Sequence, residues 1–316
     1  MLKKYFIVIF LLCSCGILSG NGSEAFSFSE ISFGSAGTAR GRTTVCERDS
    51  LEGIYYNPAS LASQKRDIAI LIAMNPYIYT LSLWNIGLSY KIPSFGTIAL
   101  SGYGLSWGDI LEENDLDQYV LRNYGINSAF AIPLDTLFDL KFVFDSGITV
   151  KYLREVITDT ILQAFLFDMG GIISFDLQIK NLPTVFSLGL LAQNFGITLS
   201  NIKVDVPVAS RLIPGIAYQV YFSSKKSSSA KMLFDLYYYT NNSIGLNMGG
   251  EIALFNLLFL RSGYILDKKS FSFGAGIAYP LKKLFFKLDY ALSSLHQLGF
   301  QHNIQFGLEM NLSEKK

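Results

Sequence analysis

Residues 303–312 read Asn-Ile-Gln-Phe-Gly-Leu-Glu-Met-Asn-Leu, and this stretch decides the fold. Every second residue is apolar, and the residues between them are polar or glycine. Because successive side chains of a β-strand point to opposite faces, this period of two predicts a strand between an apolar and a polar medium. Residues 284–292 and 271–279 repeat the pattern. The sequence therefore predicts an all-β protein.

The polar faces of these strands indicate which medium covers the apolar faces. A soluble sandwich exposes Lys, Glu and Thr, whereas here the polar positions carry Gly, Ser, Asn and widely spaced charges. The alternating runs are about nine to fifteen residues long, and a tilted strand needs about 9–11 residues to cross a bilayer. The pattern favours a transmembrane antiparallel β-barrel with apolar side chains facing lipid and polar ones facing the lumen.

The composition agrees with a chain embedded in a membrane. Of the 316 residues 50% are hydrophobic and 16% are charged, and the mean hydropathy is +0.32. The formal charge of +1 leaves no basic surplus to neutralise a phosphate backbone, so nucleic acid is not expected as a partner. The longest charge-free run, residues 68–90, contains Asn75-Pro76 and many β-branched and aromatic residues, which argues against a membrane helix.

The N-terminus has the three parts of a secretory signal peptide. Lys3 and Lys4 precede an uncharged apolar run at residues 5–18, which is too short to span a bilayer. Ser23-Glu24-Ala25 then places small residues at the two positions that define cleavage. We therefore expect residues 1–25 to be removed during export.

The cysteines leave one alternative open for this export signal. In a lipoprotein signal Cys15 would instead become the residue that carries the lipid. If cleavage follows Ala25, only Cys46 remains, so an intrachain disulfide is not expected in the exported protein.

The alternating runs predict about fourteen strands, an even number as in single-chain bacterial barrels. Short connections on one side contrast with an acidic loop at residues 107–119 on the other, which is the usual asymmetry between periplasmic turns and outer loops. The expected strands span residues 66–74, 78–92, 96–107, 121–132, 140–154, 161–176, 184–199, 210–222, 231–239, 244–254, 257–265, 270–280, 283–292 and 301–312. The expected short turns lie at residues 93–95, 133–139, 181–183, 255–256 and 281–282.

Residues 26–65 do not alternate, and they separate the signal peptide from a barrel at residues 66–316. The segment is rich in glycine, with Gly34, Gly37, Gly41 and Gly53. A barrel of about fourteen strands encloses more space than its own side chains fill. We therefore expect this segment to form an N-terminal hatch that plugs the lumen.

Two stretches of this segment carry a resemblance to a known family. Gly34-Ser35-Ala36-Gly37-Thr38-Ala39-Arg40-Gly41 and, later, Tyr55-Tyr56-Asn57-Pro58-Ala59-Ser60-Leu61-Ala62 are similar to the N-terminal signature of the FadL-like outer-membrane families. These families comprise long-chain fatty-acid and aromatic-hydrocarbon channels and the PorV/PorQ group. The resemblance implies a hatch that contains Asn57, Pro58 and Ala59. The loops are shorter than those of the fatty-acid channels.

The resemblance implies one of two functions in the cell outer membrane. The first is passive uptake of long-chain fatty acids or other hydrophobic small molecules through a monomeric channel in contact with outer-membrane lipid. The second is a non-transporting accessory role, like that of PorV, in secretion or in assembly of a surface complex. The shorter loops favour the second, and the hatch does not decide between them.

Five charged residues should face the lumen by alternation: Asp235, Glu251, Arg261, Lys287 and Asp289. Basic residues among them could hold an anionic head group such as a fatty-acid carboxylate. Alternatively, opposite charges brace the barrel, because a buried charge must be paired. We favour bracing.

The sequence offers little support for an enzyme. Residues 104–108 match the G-x-S-x-G pattern of serine hydrolases, but they end a strand and enter an acidic loop, and only His296 and His302 could act as a base. No spacing typical of metal ligands or phosphate-binding glycine loops is present in the sequence. We therefore expect no catalytic residues, no metal site and no cofactor.

Overall fold

A computed structural model of the protein describes residues 25–76, 81–107, 122–157, 160–200, 208–295 and 299–312. The predicted signal peptide up to residue 24, most of the acidic loop and His296 lie outside these ranges. No helix in the described ranges is long and apolar enough to cross a membrane.

Fourteen antiparallel strands form a closed barrel in which each strand pairs with its neighbours in sequence. The first strand closes the ring, because Ile72 is opposite Ile86 on one side and Phe306 on the other. The strands are β1 (Ile68–Pro76), β2 (Leu81–Ile92), β3 (Gly96–Trp107), β4 (Arg122–Pro133), β5 (Val143–Ile157), β6 (Thr160–Ile179), β7 (Leu182–Ser200), β8 (Arg211–Tyr221), β9 (Ser229–Tyr239), β10 (Ile244–Leu254), β11 (Leu258–Ile265), β12 (Ser270–Leu281), β13 (Leu284–Ser294) and β14 (Phe300–Met310). The expected number of strands and the antiparallel barrel are confirmed.

The turn between β6 and β7 differs from the expected one at residues 181–183. Lys180 and Asn181 both have positive φ, 49° and 67°, so they form the turn by themselves. Both central residues of a two-residue I′ hairpin turn need this conformation, which matches the twist of the strands. The ladder therefore continues to the pair Ile179 and Leu182, and Pro183 belongs to β7.

A second turn also contains more structure than expected. Within residues 133–139 a short helix, Leu134–Phe138, connects β4 to β5. It ends at Asp139, whose φ of 50° is left-handed, a conformation that terminates many helices.

The apolar faces of the strands point out of the barrel, as the alternation predicts. On β1, Ile72 and Met74 are 47% and 72% exposed, whereas the next residue, Asn75, faces inward and is buried. Phe273 and Ile277 on β12 are likewise exposed. Exposed apolar residues on every strand match a barrel that is surrounded by lipid.

The turns identify the two ends of the barrel. We call the end where β1 begins and β14 ends the inner end, because most connections there are short, such as residues 93–95 and 282–283, although residues 134–142 and 222–228 are longer. Short turns lie on the periplasmic side of such barrels. The outer end carries the longer connections, including residues 108–121 and 201–210.

Candidate functional site

The N-terminal segment (residues 25–65) contacts inward-facing side chains all round the barrel. These contacts are Asn85 on β2 with the Phe33 carbonyl, Glu155 on β5 with the Phe26 N–H, Gln193 on β7 with the Tyr55 carbonyl, Asp235 on β9 with the Thr44 N–H, Ser272 on β12 with the Ala39 carbonyl and Gln305 on β14 with the Ser35 N–H. The strands that supply them are distributed around a closed ring. One segment can reach all of them only from inside, so this segment lies in the lumen.

The Asn57-Pro58-Ala59 turn lies against the inner faces of β5 and β6. Asn57 Oδ1 accepts the N–H of Ala59 at 3.1 Å and caps the 3-10 helix Pro58–Ser63. Asn57 Nδ2 donates to the carbonyl of Val45 at 2.6 Å. A Cβ at Gly170 on β6 would collide with Asn57 Oδ1, so glycine at this position permits the close approach. Asn57 therefore ties two parts of the segment together next to the wall.

Glu52 organises the glycine-rich start of the segment. Its carboxylate accepts the N–H groups of Gly37 at 2.8 Å and Ala36 at 3.0 Å, and the side-chain amide of Gln305 at 2.9 Å. A Cβ at Gly34 would overlap this carboxyl group, so a residue without a side chain is required at position 34. Burial raises the pKa of Glu52, although the nearby Arg40 opposes the rise.

A buried cluster of charges joins the segment to β9, β10, β11 and β13. Its members are three cations and three carboxylates: Arg40, Lys231, Arg261, Glu47, Glu251 and Asp289. Arg261 lies 2.6 Å from Glu251 and 2.5 Å from Asp289, and Arg40 lies 2.8 Å from Glu251. The charges cancel, which a group of buried ions requires in order to persist away from water. We call this set the charge cluster.

The segment contributes both signs to the charge cluster. Arg40 binds Glu47 of its own segment at 3.1 Å, and Lys231 of the barrel binds the same carboxylate at 2.9 Å. Burial raises the pKa of Glu47, but Arg40 and Lys231 more than reverse this effect and lower it. Glu47 is therefore held as a carboxylate between one cation of the segment and one of the wall.

Three of the five predicted lumen charges, Glu251, Arg261 and Asp289, meet in the charge cluster. Lys287 lies apart and pairs with Glu309 on β14. Asp235 also lies apart and accepts the N–H groups of two residues of the segment. The structure therefore distributes the predicted residues over three separate contacts.

Sequence reasoning missed the partners of these residues. Lys231 could have been found, because it lies four residues before Asp235 and alternation puts both on the inner face. Arg40 and Glu47 carry no such signal, since they belong to a segment without periodicity.

The outer half of the lumen is apolar on the side formed by β3, β5 and β6. Buried side chains from these strands meet buried side chains of the segment, and the set is Tyr103, Leu105, Leu153, Leu162, Leu166, Phe26, Phe28, Phe33 and Tyr55. The ring of Tyr103 lies 4.5 Å from that of Phe33 and 5.5 Å from that of Tyr55 between centroids. We call this set the apolar chamber. Lumens of outer-membrane barrels are typically polar. The wall side chains of the apolar chamber, which the rings of the segment cover in this structure, are therefore a candidate ligand site.

A cleft of about 630 Å³ opens at the inner end of the barrel. Its lining includes Gln64 and Lys65 at the end of the segment, together with Lys91, Phe95 and Pro133 of the wall and turns. It lies at the opposite end of the lumen from the apolar chamber.

The G-x-S-x-G match does not form a nucleophile site. Its first four residues belong to β3 as an extended strand, whereas a nucleophilic serine of this pattern needs a strand-to-helix turn. His302 points away from the lumen, and its Nδ1 lies 2.8 Å from the Tyr290 hydroxyl. Within the described ranges, no three His, Cys, Asp or Glu side chains are placed to hold a metal ion.

No protein-family model matches the chain, and no curated protein matches it. Solved structures do match. The toluene transporter TbuX of Ralstonia pickettii is 10% identical, with a TM-score of 0.53 over 89% of this chain and 98% of that one. The monoaromatic hydrocarbon channel CymD is 10% identical, with a TM-score of 0.51 over 90% of this chain and 98% of that one. These are FadL-family barrels, so the resemblance is confirmed as a FadL-like fold.

Proposed function

We propose that this protein is an outer-membrane channel for passive uptake of hydrophobic small molecules, including long-chain fatty acids. The observation that carries the proposal is the apolar chamber at the outer end of the lumen. When the rings of the segment move aside, the wall side chains of the chamber offer an apolar site to solutes that the polar outer surface of the membrane would otherwise block. The FadL-like fold supports the proposal, since the similar barrels TbuX and CymD are a toluene transporter and a monoaromatic hydrocarbon channel.

The N-terminal segment acts in this proposal as the hatch. Phe26, Phe28 and Phe33 occupy the apolar chamber, so an incoming ligand competes with the chain's own aromatic rings. The start of the segment is tied to the wall through Glu155 and through Arg211, which pairs with Glu30 at 2.7 Å. The charge cluster and Asp235 hold the later part. Ligand entry therefore shifts the start of the hatch and leaves its later part in place.

The five predicted lumen charges brace the barrel and the hatch in this proposal. Arg261 and Lys287 already have carboxylate partners, so an anionic head group would have to displace a buried ion pair. Replacing Arg261 or Lys287 by Ala should leave oleate uptake unchanged and lower the stability. Loss of oleate uptake by a variant that keeps its fold would assign the residue to the ligand instead.

A binding experiment on refolded protein tests the uptake function. A fluorescent C16 fatty acid should bind saturably, and toluene should compete with it. Leu166→Asn puts a polar amide into the apolar chamber and should weaken binding about tenfold, because burying an unpaired polar group costs about 1–3 kcal/mol. The matched control is Leu233→Asn, which alters a fully buried inward leucine in a different cluster, beside Cys46. This control should leave the affinity unchanged.

A substitution in the hatch tests whether the ligand and the hatch compete for the same space. Phe28→Ala empties an aromatic-sized space in the apolar chamber, and apolar cavities in proteins stay dry and bind small aromatic molecules. Toluene should therefore bind more tightly to Phe28→Ala than to the wild type. Absence of saturable binding to every form would overturn the uptake function and favour the accessory role that the family resemblance also implies.

A further inference from the structure

The beginning of the segment contacts a carboxylate at the outer end of the lumen. Glu155 faces inward near the outer end of β5 and is only 6% exposed. Its Oε2 accepts the backbone N–H of Phe26 at 2.8 Å, and its Oε1 accepts the side-chain amide of Asn123 at 3.2 Å. Asn123 is held in turn by the N–H of Val156, which donates to its Oδ1 at 3.3 Å.

Glu155 differs in its partners from the carboxylates of the charge cluster and, like Glu52 and Asp235, it accepts only neutral donors. Glu47, Glu251 and Asp289 each lie beside a Lys or Arg. In the ranges that the structure describes, no Lys, Arg or His lies within ion-pair distance of Glu155, and its two hydrogen-bond donors are neutral amides. A buried carboxylate is costly without a cation. Of the two groups that contact Glu155, the Phe26 nitrogen is the one that cleavage of the chain turns into a cation.

Phe26 is the residue that follows the predicted cleavage site. Hydrolysis of the Ala25–Phe26 bond adds one water across the amide. The oxygen goes to the Ala25 carbonyl carbon, which leaves as a carboxylate, and both hydrogens end on the Phe26 nitrogen, which becomes –NH₃⁺. The atom that lies 2.8 Å from Glu155 then carries a full positive charge. Hydrogen bonds between charged partners are about twice as strong as neutral ones.

The location of this bond agrees with cleavage there. Ala25 bridges to Val208, which lies just before the outer end of β8. A signal peptide operates in the inner membrane, on the far side of the periplasm. A chain that still carried it could not place Phe26 at the outer end of this barrel. Release of the leader therefore has to precede insertion of the segment into the lumen.

We propose that the Ala25–Phe26 bond is the processing site and that Glu155 is the receptor for the α-ammonium group that processing creates. The inference rests on the predicted signal peptide and not on the uptake function. Processing thereby supplies the counter-ion of Glu155 and fixes Phe26 among the rings of the apolar chamber. The hydrogen bond between Phe26 and Glu155 becomes a charge pair only in the mature chain.

The first test determines the N-terminus of the protein extracted from the outer membrane of a Gram-negative host. N-terminal sequencing and intact mass should both give Phe26 as the first residue. A chain that starts elsewhere, or one that carries lipid on Cys15, would overturn the proposal.

The second test measures the reactivity of the Phe26 amine with an amine-acetylating reagent at neutral pH, followed by mass spectrometry of the N-terminal peptide. In folded wild type, acetylation should be at least about tenfold slower than in heat-unfolded protein, since a hydrogen bond to a charged group contributes about 1.5–3 kcal/mol. Glu155→Gln should restore most of this reactivity. The control Asp145→Asn removes a different buried lumen carboxylate, the partner of Arg48, and should react like the wild type. Equal rates in folded and unfolded wild type would overturn the proposal, even if Glu155→Gln fails to fold.

The third test separates the ammonium charge from the hydrogen bond. Inserting two serines between Ala25 and Phe26 leaves Ser-Ser-Phe after cleavage, so the Phe26 nitrogen is again an amide. Glu155→Gln should then reduce the protection of the segment from protease much less than it does in the normal mature chain. An equal effect in both backgrounds would show that no charge pair exists.

Discussion

The guanidinium of Arg40 lies 2.8 Å from the carboxylate of Glu251, and this ion pair connects the N-terminal segment to the wall of the barrel. The side chains are 4% and 9% exposed, so water screens the pair little. Glu251 also binds Arg261 of the adjacent strand at 2.6 Å. One carboxylate thus serves the wall and the segment together.

Removing Arg40 should loosen the segment and leave the barrel closed. Arg40→Ala leaves Glu47 and Glu251 with one cation fewer, and breaking a buried pair costs about 3–5 kcal/mol. Protease should cut residues 25–65 faster, while the heat-dependent gel shift of the folded barrel stays. The control Lys226→Ala removes an exposed pair with Asp176 and should change stability by less than about 1 kcal/mol. Equal protease resistance of Arg40→Ala and wild type would contradict the anchoring role.

A methyl group at Gly263 should push the segment away from the wall. The Cβ of Gly263→Ala would meet the backbone of Arg40 and Gly41, which side-chain rotation cannot relieve. We expect a loss of about 1–3 kcal/mol in unfolding free energy, as for other overpacked sites. The control Gly250→Ala lies on the neighbouring strand, where the nearest atom would be 3.7 Å away. The two variants should therefore differ in urea unfolding, and matching midpoints would refute the close approach.

Asn57 has two separable roles that two substitutions distinguish. Asn57→Ser keeps a neutral oxygen that accepts the Ala59 N–H and loses the amide donor to Val45, whereas Asn57→Ala loses both. The cap contributes about 0.5–2 kcal/mol. The unpaired Val45 carbonyl costs about 1–3 kcal/mol in either variant. Protease protection of the segment should fall in the order wild type, Asn57→Ser, Asn57→Ala. A wild-type level in Asn57→Ala would rule out both roles.

Glu52 should give the segment a distinct pH dependence. Burial raises the pKa of Glu52 above its ordinary value of 4.5. Its contribution to stability is therefore complete below pH 4.5 and is lost as the pH rises through the raised folded-state pKa. Hydrogen exchange measures the protection of the segment. The protection of the wild type relative to Glu52→Gln should decrease as the pH rises through the raised pKa of Glu52. A difference that is constant from pH 4 to 8 would show that Glu52 keeps an ordinary pKa.

The barrel could be predicted from the sequence because its cause is local and repeated. Within each strand, the alternation of apolar and polar residues shows which residues share a face, so each of the fourteen strands could be predicted separately. The turn at Lys180 and Asn181 was misplaced, since Pro183 is the stronger local signal for a turn and only the strand ladder shows that it is paired.

The candidate site was predicted less completely. Alternation identified Arg261, Glu251 and Asp289 as inward residues, but it says nothing about which inward residues of different strands meet. The apolar chamber was not anticipated either. Tyr103 and Leu166 look like ordinary apolar strand residues until the register shows that they face inward.

The sequence by itself determined that this chain forms strands with one apolar face, that these faces meet lipid, and that a segment without periodicity precedes them. Those properties depend on residues close together in the chain. Only the tertiary structure decided that Phe26 meets Glu155, 129 residues away, and that Arg40 meets Glu251, 211 residues away. Such pairs exist only after the barrel has closed around the segment, because closure brings distant inward faces within reach of one another.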